Sequence, residues 1–185
     1  MLSLLLSTPT WATAVFEAPA RFQKAGAGAD IDVSPQAESL IRFGQHAYAR
    51  AADDARMMQA AIDAFLSAPS ETGLAEARRS WRQARPAYQR TEMLRFFNSP
   101  IDHAGDDQTP PGPEPRINAW PLNEAHIDYV EGAPKAGLIQ RLDLPIEVST
   151  ILHRDQFSDE SDITTGWHAI EFLLWGQDLS ADGPG

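Results

Sequence analysis

The 185-residue sequence contains no cysteine. Disulfides, thiolate metal ligands and cysteine nucleophiles are therefore excluded in any cellular compartment, and a bound metal would have nitrogen and oxygen ligands. Basic residues are also scarce, because 15 Lys and Arg stand against 26 Asp and Glu and the formal net charge is −11. Such a surface repels a phosphate backbone, so nucleic acid is not an expected partner.

Long apolar runs and the alternation typical of β-strands are missing as well. No stretch after the N-terminus approaches the ~18 uninterrupted apolar residues of a membrane-spanning helix, so we expect no span in the mature chain. There is no internal repeat, no Gly-rich phosphate loop and no nucleophile elbow. A chain of this length with 43% hydrophobic residues can still bury one main core.

The first residues are similar to an export signal. Met1 to Leu6 form a short apolar run, and Ala12-Thr13-Ala14 has the small-x-small pattern that signal peptidase accepts. The basic segment that normally precedes the apolar run is missing. We therefore expect residues 1–14 to be a signal-peptide-like segment that is removed from an exported protein.

Composition predicts the organisation of the rest of the chain. Residues 15–33 are rich in Ala and Gly and are expected to form a flexible lead-in. Residues 34–185 are expected to form one helical domain. Because Asp182–Gly185 end the chain directly after an apolar helix, we expect this domain to be truncated at its C-terminus.

Apolar residues spaced three and four apart predict an all-α fold, a helical bundle. Ser34-Pro35 begins a long amphipathic helix that Pro69 ends. A second helix is predicted from about Glu71 to Phe97, with a kink at Pro86. The two helices predict an antiparallel helical hairpin.

The remainder of the chain is less regular. Five prolines between Asn98 and Arg116 predict a long Pro-rich loop. Asn123 can cap a short helix that runs through Val130, and two further short helices are expected within residues 138–152.

The last predicted helix runs from Gly166 to Trp175. Thr164 or Thr165 is expected to cap its start, and Gly176 is expected at its C′ position. The helix is apolar around nearly its whole circumference, which predicts that it is buried.

His168 and Glu171 are the only ionisable residues of this helix, and their spacing of three places both on one face. A buried carboxylate is costly unless it is paired or binds a cation, so Glu171 is expected to have a dedicated partner. In one interpretation Glu171 pairs with an arginine such as Arg95, and His168 donates to a backbone carbonyl. Both residues would then only orient helices.

In the other interpretation the pair binds a divalent or ferric metal ion, iron or zinc. Two ligands are too few, and Glu92 is the candidate third ligand, with Arg95 and Asp102 as neighbours. The pattern is not His-Glu-x-x-His, so a peptidase assignment lacks its usual support.

Other conspicuous side chains are given no functional role. Single histidines are more often exposed or hydrogen-bonded than catalytic, and this applies to His46, His103, His126 and His153. Aromatic residues at helical spacing indicate core positions, namely Trp81, Tyr88, Trp120, Trp167 and Trp175.

Three blocks of the sequence resemble the imelysin-like family of iron-regulated envelope proteins. They are Ser80–Asp102, Arg116–Gly132 and Gly166–Asp178, and the third contains the family's Gly-x-His-x-x-Glu motif intact. The resemblance covers about residues 36–185. It implies an all-α fold of two helical-bundle halves, of which this chain would supply the first, with His168 and Glu171 as the motif pair.

The resemblance also implies a function. It implies a location in the periplasm or attached to the outer membrane, expression that responds to iron, and a link to iron acquisition. We expect a non-catalytic protein that binds a metal ion or small ligand, with other envelope proteins as further partners. Some family members are described as metallopeptidases, which is the first alternative, and a structural or interaction module is the second. No complete catalytic motif is present, so enzymatic activity stays an open question.

Overall fold

The computed structural model of the protein describes residues 32–97, 99–106 and 109–176. The predicted signal segment 1–14 lies outside the described residues, as do most of the lead-in 15–33 and the C-terminal residues 177–185. The chain divides into two units, Met1–His46 and Ala47–Gly185. All five candidate site residues belong to the second unit.

The described residues are helical, with irregular connections and no β-strand, which confirms the predicted all-α fold. Six α-helices follow one another: α1 (Ser34–Ser67), α2 (Glu71–Gln89), α3 (Glu114–Asn118), α4 (Glu124–Ile127), α5 (Val148–Arg154) and α6 (Gly166–Trp175). Two 3₁₀ segments span Glu92–Phe97 and Leu138–Gln140. None of the described helices has the length and apolar character needed to cross a membrane.

A shared apolar core joins α1 and α2, as the predicted hairpin requires. Three residues connect the two helices, and the Ser70 hydroxyl accepts a hydrogen bond from the amide of Gly73 at 3.1 Å, which caps the start of α2. The core consists of small side chains around larger ones: Ala51, Met58, Ala84, Ala87, Tyr88 and Trp167. Because Trp167 belongs to α6, the same core also holds the helix of the motif pair.

The second predicted helix is shorter than expected. We predicted that it would reach Phe97, but α2 ends at Gln89 and a 3₁₀ segment follows. Thr91 explains the change, because its amide donates to the carbonyl of Tyr88 at 2.8 Å and its hydroxyl donates to the same oxygen at 2.7 Å. These bonds tighten the chain into 3₁₀ geometry. A kink at Pro86 stays a prediction.

Two further boundaries differ from the predictions. The Pro-rich loop was expected to stay free of helix to Arg116, but α3 begins at Glu114, because Pro115 lies in the first turn, where its missing N–H is not needed. Helix α4 ends at Ile127 instead of Val130. The two short helices expected within 138–152 are confirmed as the second 3₁₀ segment and α5.

Candidate functional site

Helix α6 is confirmed at its predicted bounds, and its start lies directly on α3. Thr165 occupies the N-cap position, but its side chain does not cap the helix, and its hydroxyl donates to the carbonyl of Arg116 at 2.9 Å. Gly166 has a φ of +81°, and an added Cβ would lie 2.7 Å from the Arg116 oxygen and closer still to the carbonyl oxygen of Ile117. Only glycine fits this backbone angle and this contact.

Helix α2 holds α6 near both of its ends. The guanidinium of Arg78 donates through Nε to the carbonyl of Leu174 at 2.6 Å, and the indole of Trp81 donates to the carbonyl of Trp167 at 3.1 Å. Gly176 follows the helix directly, as its C-cap residue with a φ of −48°, so its expected placement at the C′ position is wrong. Contacts from α2 and α3 thus fix both the position and the rotation of α6.

Packing covers most of the surface of α6 but not all of it. Trp167, Ala169, Phe172 and Leu174 are buried, whereas Leu173 is 55% exposed and the side chain of Glu171 is 44% exposed. The predictions of a fully buried helix and of a buried Glu171 are therefore wrong. A carboxylate at the solvent boundary keeps most of its hydration, so Glu171 does not need a dedicated cation to be tolerated.

His168 and Glu171 do lie together, as their spacing predicted. The imidazole Nδ1 is 3.5 Å from Glu171 Oε2, and the histidine side chain is only 17% exposed. The histidine ring rests against the indole of Trp120, with 4.8 Å between ring centroids. Nδ1 itself is buried and has no hydrogen-bond partner. The pair therefore consists of a buried imidazole nitrogen and a carboxylate that reaches water.

The electrostatic surroundings keep the imidazole neutral. Burial lowers the pKa of His168 below its usual range, the positive charge of Arg85 lowers it further, and Glu171 opposes both effects. Arg85 lies 5.7 Å from the ring centroids of both Tyr88 and Trp167, and its buried Nη1 has no hydrogen-bond partner. The guanidinium of Arg85, which has an unsatisfied donor, therefore lies close enough to His168 to act on its charge state.

Arg95 is not the arginine that interacts with Glu171, so the choice of Arg95 is wrong; the charge of Arg85 interacts with Glu171 instead. Its Nη2 lies 3.0 Å from Oε2 of Glu114, whose side chain is almost entirely buried. Asn118 also donates to Oε1 of Glu114, at 3.4 Å. No sequence pattern singles out Glu114, which pairs with Arg95 because α3 begins beside the 3₁₀ segment that carries the arginine.

Glu92 and Arg95 line a cleft of about 460 Å³, to which Glu114, Asn118, Trp120 and Glu160 also contribute. Neither His168 nor Glu171 lines this cleft. Within the described ranges, no three His, Asp or Glu side chains are close enough together to hold one metal ion. The structure thus does not bring Glu92 to the histidine and glutamate of the motif.

Asp102 has a local role in the loop that follows the 3₁₀ segment. Its Oδ1 accepts a hydrogen bond from the amide of Ser99 at 2.8 Å, while its buried Oδ2 has no hydrogen-bond partner. Burial raises the pKa of Tyr48, and the negative charge of Asp102 adds a smaller increase. Asp102 therefore lies beside Tyr48 rather than in the motif pair.

Three residues around the pair were missed by sequence reasoning. Trp120 was assigned to the core, but it is 70% exposed and forms part of the cleft wall. Arg85 carried no signal beyond its place in an amphipathic helix. Gly166 belongs to the motif, and only its contact with α3 gives the physical reason for a glycine.

Comparison with known proteins agrees with this architecture. The family model described as imelysin, peptidase M75, matches residues 44–184. The match spans all three blocks on which the resemblance rested. No curated protein sequence matches the chain.

Proposed function

The chain belongs to the imelysin family, and from this premise we propose that it is a cell-envelope protein of iron acquisition that holds a metal ion at His168 and Glu171. The location and the link to iron come from the family resemblance. The choice of His168 and Glu171 as ligands rests on the intact motif and on the geometry of the pair.

One observation carries the metal part of the proposal, the 3.5 Å separation between Nδ1 of His168 and Oε2 of Glu171. Nitrogen and carboxylate ligands bind zinc at about 2.0–2.2 Å, so two such atoms on a tetrahedral ion are about 3.4 Å apart. The side chains therefore have the separation of two ligands of one ion without any rearrangement. Apart from this 3.5 Å contact with Glu171, the buried Nδ1 has no hydrogen-bond partner among the described residues.

The charge state also favours a ligand role for the histidine. A metal ion binds the neutral imidazole, and the lowered pKa of His168 supplies that form at neutral pH without release of a proton. The partly exposed Glu171 leaves further coordination positions open to water or to another ligand. Because the positive charge of Arg85 opposes a bare cation, a metal ion that arrives with its own anionic chelator fits the site better.

Peptide hydrolysis is not part of this proposal. A catalytic zinc site has three protein ligands, an open position with a water molecule and a general base nearby. Residues 32–97, 99–106 and 109–176 bring no third carboxylate or imidazole to the pair. The motif by itself also identifies no general base.

Calorimetric titration with zinc, ferrous ion and ferric citrate tests the proposal. His168→Gln removes the ligand nitrogen while keeping a polar side chain, and Glu171→Gln removes the carboxylate charge. His153→Gln is the matched control, because His153 is an exposed histidine on α5 outside the site. We expect binding by the wild type and the control, and at least a tenfold loss in the two site variants. Equal affinity in all four proteins, or no binding by the wild type, would overturn the proposal.

A further inference from the structure

Three arginines of α2 form a row beside α6. Arg78, Arg82 and Arg85 are four and three residues apart, so they lie on one face of α2. The guanidinium carbons of Arg78 and Arg82 lie 5.7 and 4.9 Å from the ring centroid of Trp175. That of Arg85 lies 5.7 Å from the ring centroid of Trp167. This arginine row therefore runs along the helix that carries the motif pair.

The row has no carboxylate partner of its own. Among the described residues, no ion pair includes any of its three guanidinium groups. The neighbouring Arg79, by contrast, is paired with Glu76. Like charges one helical turn apart repel each other. An anion bound on the row would remove this repulsion.

A ligand can reach two members of the row. Arg82 is exposed and Arg78 is partly exposed. Arg78 donates through Nε to the carbonyl of Leu174 at 2.6 Å, and no hydrogen bond to a described residue occupies its two terminal nitrogens. The indole of Trp175 holds both guanidinium groups by cation–π contact. The donors are thus positioned before a ligand binds, which lowers the entropic cost of binding.

The ligand suited to such a row is a small anion with several carboxylates. A guanidinium binds a carboxylate through two parallel N–H···O bonds. Residues four apart on a helix are about 6 Å apart along its axis. A ligand with carboxylates a few bonds apart can therefore contact neighbouring arginines, whereas a single carboxylate cannot occupy both.

The row also lies close to the motif pair. Trp175 follows His168 by seven residues and Glu171 by four, so the three side chains lie on one face of α6, and all three are partly exposed. Glu171 and Trp175 are about 6 Å apart along the helix axis. Arg85 acts on the charge state of His168 and on Glu171. A small polycarboxylate spans this distance, so it can hold a metal ion at the pair while its remaining carboxylates contact the row.

We propose that the arginine row binds a small polycarboxylate anion, the chelator with which the metal ion arrives. The role as a chelator rests on the metal site proposed above, whereas the binding of carboxylates by the row does not require a metal. Arg78 and Arg82 donate to the carboxylates, and the charge of Arg85 attracts the anion. The negative charge of the chelator offsets that of Arg85, which would repel a bare cation.

Calorimetric titration of the metal-free full chain with propane-1,2,3-tricarboxylate tests the row alone. Acetate is the matched ligand with a single carboxylate, and inorganic phosphate distinguishes carboxylate recognition from general anion binding. We expect the tricarboxylate to bind about tenfold or more tighter than either, with an affinity that falls as salt is added. No heat at millimolar tricarboxylate, or equal binding of the three anions, would overturn the proposal.

Variants locate this binding on the row. Arg82→Gln changes an exposed side chain, so folding is preserved, and it should weaken tricarboxylate binding about fivefold or more. Arg79→Gln is the matched control, an exposed arginine of the same helix that is paired with Glu76, and it should leave the affinity unchanged. Asp178→Asn tests a carboxylate of this chain outside the described residues as the alternative occupant. Equal affinity in the two arginine variants, or binding by the Asp178 variant alone, would overturn the proposal.

Zinc and ferric citrate separate this proposal from the metal site. Arg82→Gln should weaken the binding of ferric citrate and leave zinc binding unchanged. His168→Gln should weaken both and leave the binding of metal-free tricarboxylate unchanged. Zinc binding without tricarboxylate binding would overturn the row alone, and tricarboxylate binding without zinc binding would overturn the metal site alone. Equal affinity of wild type and Arg82→Gln for ferric citrate would overturn the chelator role of the row.

Discussion

Replacing Gly166 with alanine is the substitution that most directly tests how the motif helix is held. The residue has a φ of +81°, and its Cα faces the backbone of α3. An added Cβ would lie 2.7 Å from the carbonyl oxygen of Arg116 and closer still to that of Ile117. Backbone atoms cannot rotate away as the end of a side chain can, so α6 or α3 must move.

The expected loss of stability has two parts. The left-handed backbone costs a residue with a Cβ about 1–2 kcal/mol. Displacing packed backbone adds about 1–3 kcal/mol, the usual range for overpacking. Gly132 separates the two parts, because it has the same φ of +81° but an added Cβ would meet nothing within 4 Å. Gly132→Ala should therefore show only the first part.

Urea denaturation followed by far-UV circular dichroism measures both variants against the wild type. We expect Gly166→Ala to lower the free energy of unfolding by about 1–3 kcal/mol more than Gly132→Ala. For a chain of this size, each kcal/mol lowers the melting temperature by about 2–4 °C. If the two variants lose the same stability, the contact between α6 and α3 does not require glycine and the reasoning fails.

Further predictions concern the motif pair and Asp162, a buried carboxylate in the connection before α6. Because the folded-state pKa of His168 is lowered, the unfolded chain takes up a proton near pH ~6.5 that the folded chain resists, so stability falls as pH drops through this value. Unfolding experiments over a pH series should show a steeper fall for the wild type than for His168→Gln, and equal slopes would contradict this. Asp162→Ala removes the acceptor of hydrogen bonds from Asn123 (2.8 Å) and Ser158. Urea denaturation should show that the free energy of unfolding falls by about 1–3 kcal/mol. A loss below about 0.5 kcal/mol would contradict the structural role of Asp162. Glu171→Gln should change stability by less than about 1 kcal/mol, because the carboxylate is partly exposed and its imidazole partner is neutral; a larger loss in thermal unfolding would show that this carboxylate has a buried partner.

The helices and the motif pair could be predicted from local pattern. Helix α6 has its predicted bounds of Gly166 and Trp175, and α1 begins at the predicted Ser34, because apolar periodicity is a local pattern that acts over a few positions. The proximity of His168 and Glu171 follows from their spacing alone, since residues three apart lie on one face of any helix.

Features that depend on the path of irregular segments could not be predicted. Arg95 pairs with Glu114 rather than Glu171, and this choice is set by how the Pro-rich loop returns to the 3₁₀ segment. Trp120 lies between two short helices, where no periodicity indicates whether a side chain is buried, and its assignment to the core was wrong. The exposure of Glu171 depends on the rotation of α6, which the contacts with Arg78 and Trp81 determine.

Site-specific NMR of the histidine nitrogens during a zinc titration tests the proposed metal site most directly. With ¹⁵N-labelled protein, and with His168→Gln to assign the resonance, we predict that Nδ1 of His168 shifts to the position of a metal-bound nitrogen while the nitrogens of His153 stay unchanged. Glu171→Gln should weaken the response at the same nitrogen. A titration that leaves Nδ1 of His168 unshifted, or that shifts every histidine alike, would contradict a metal site built on this pair.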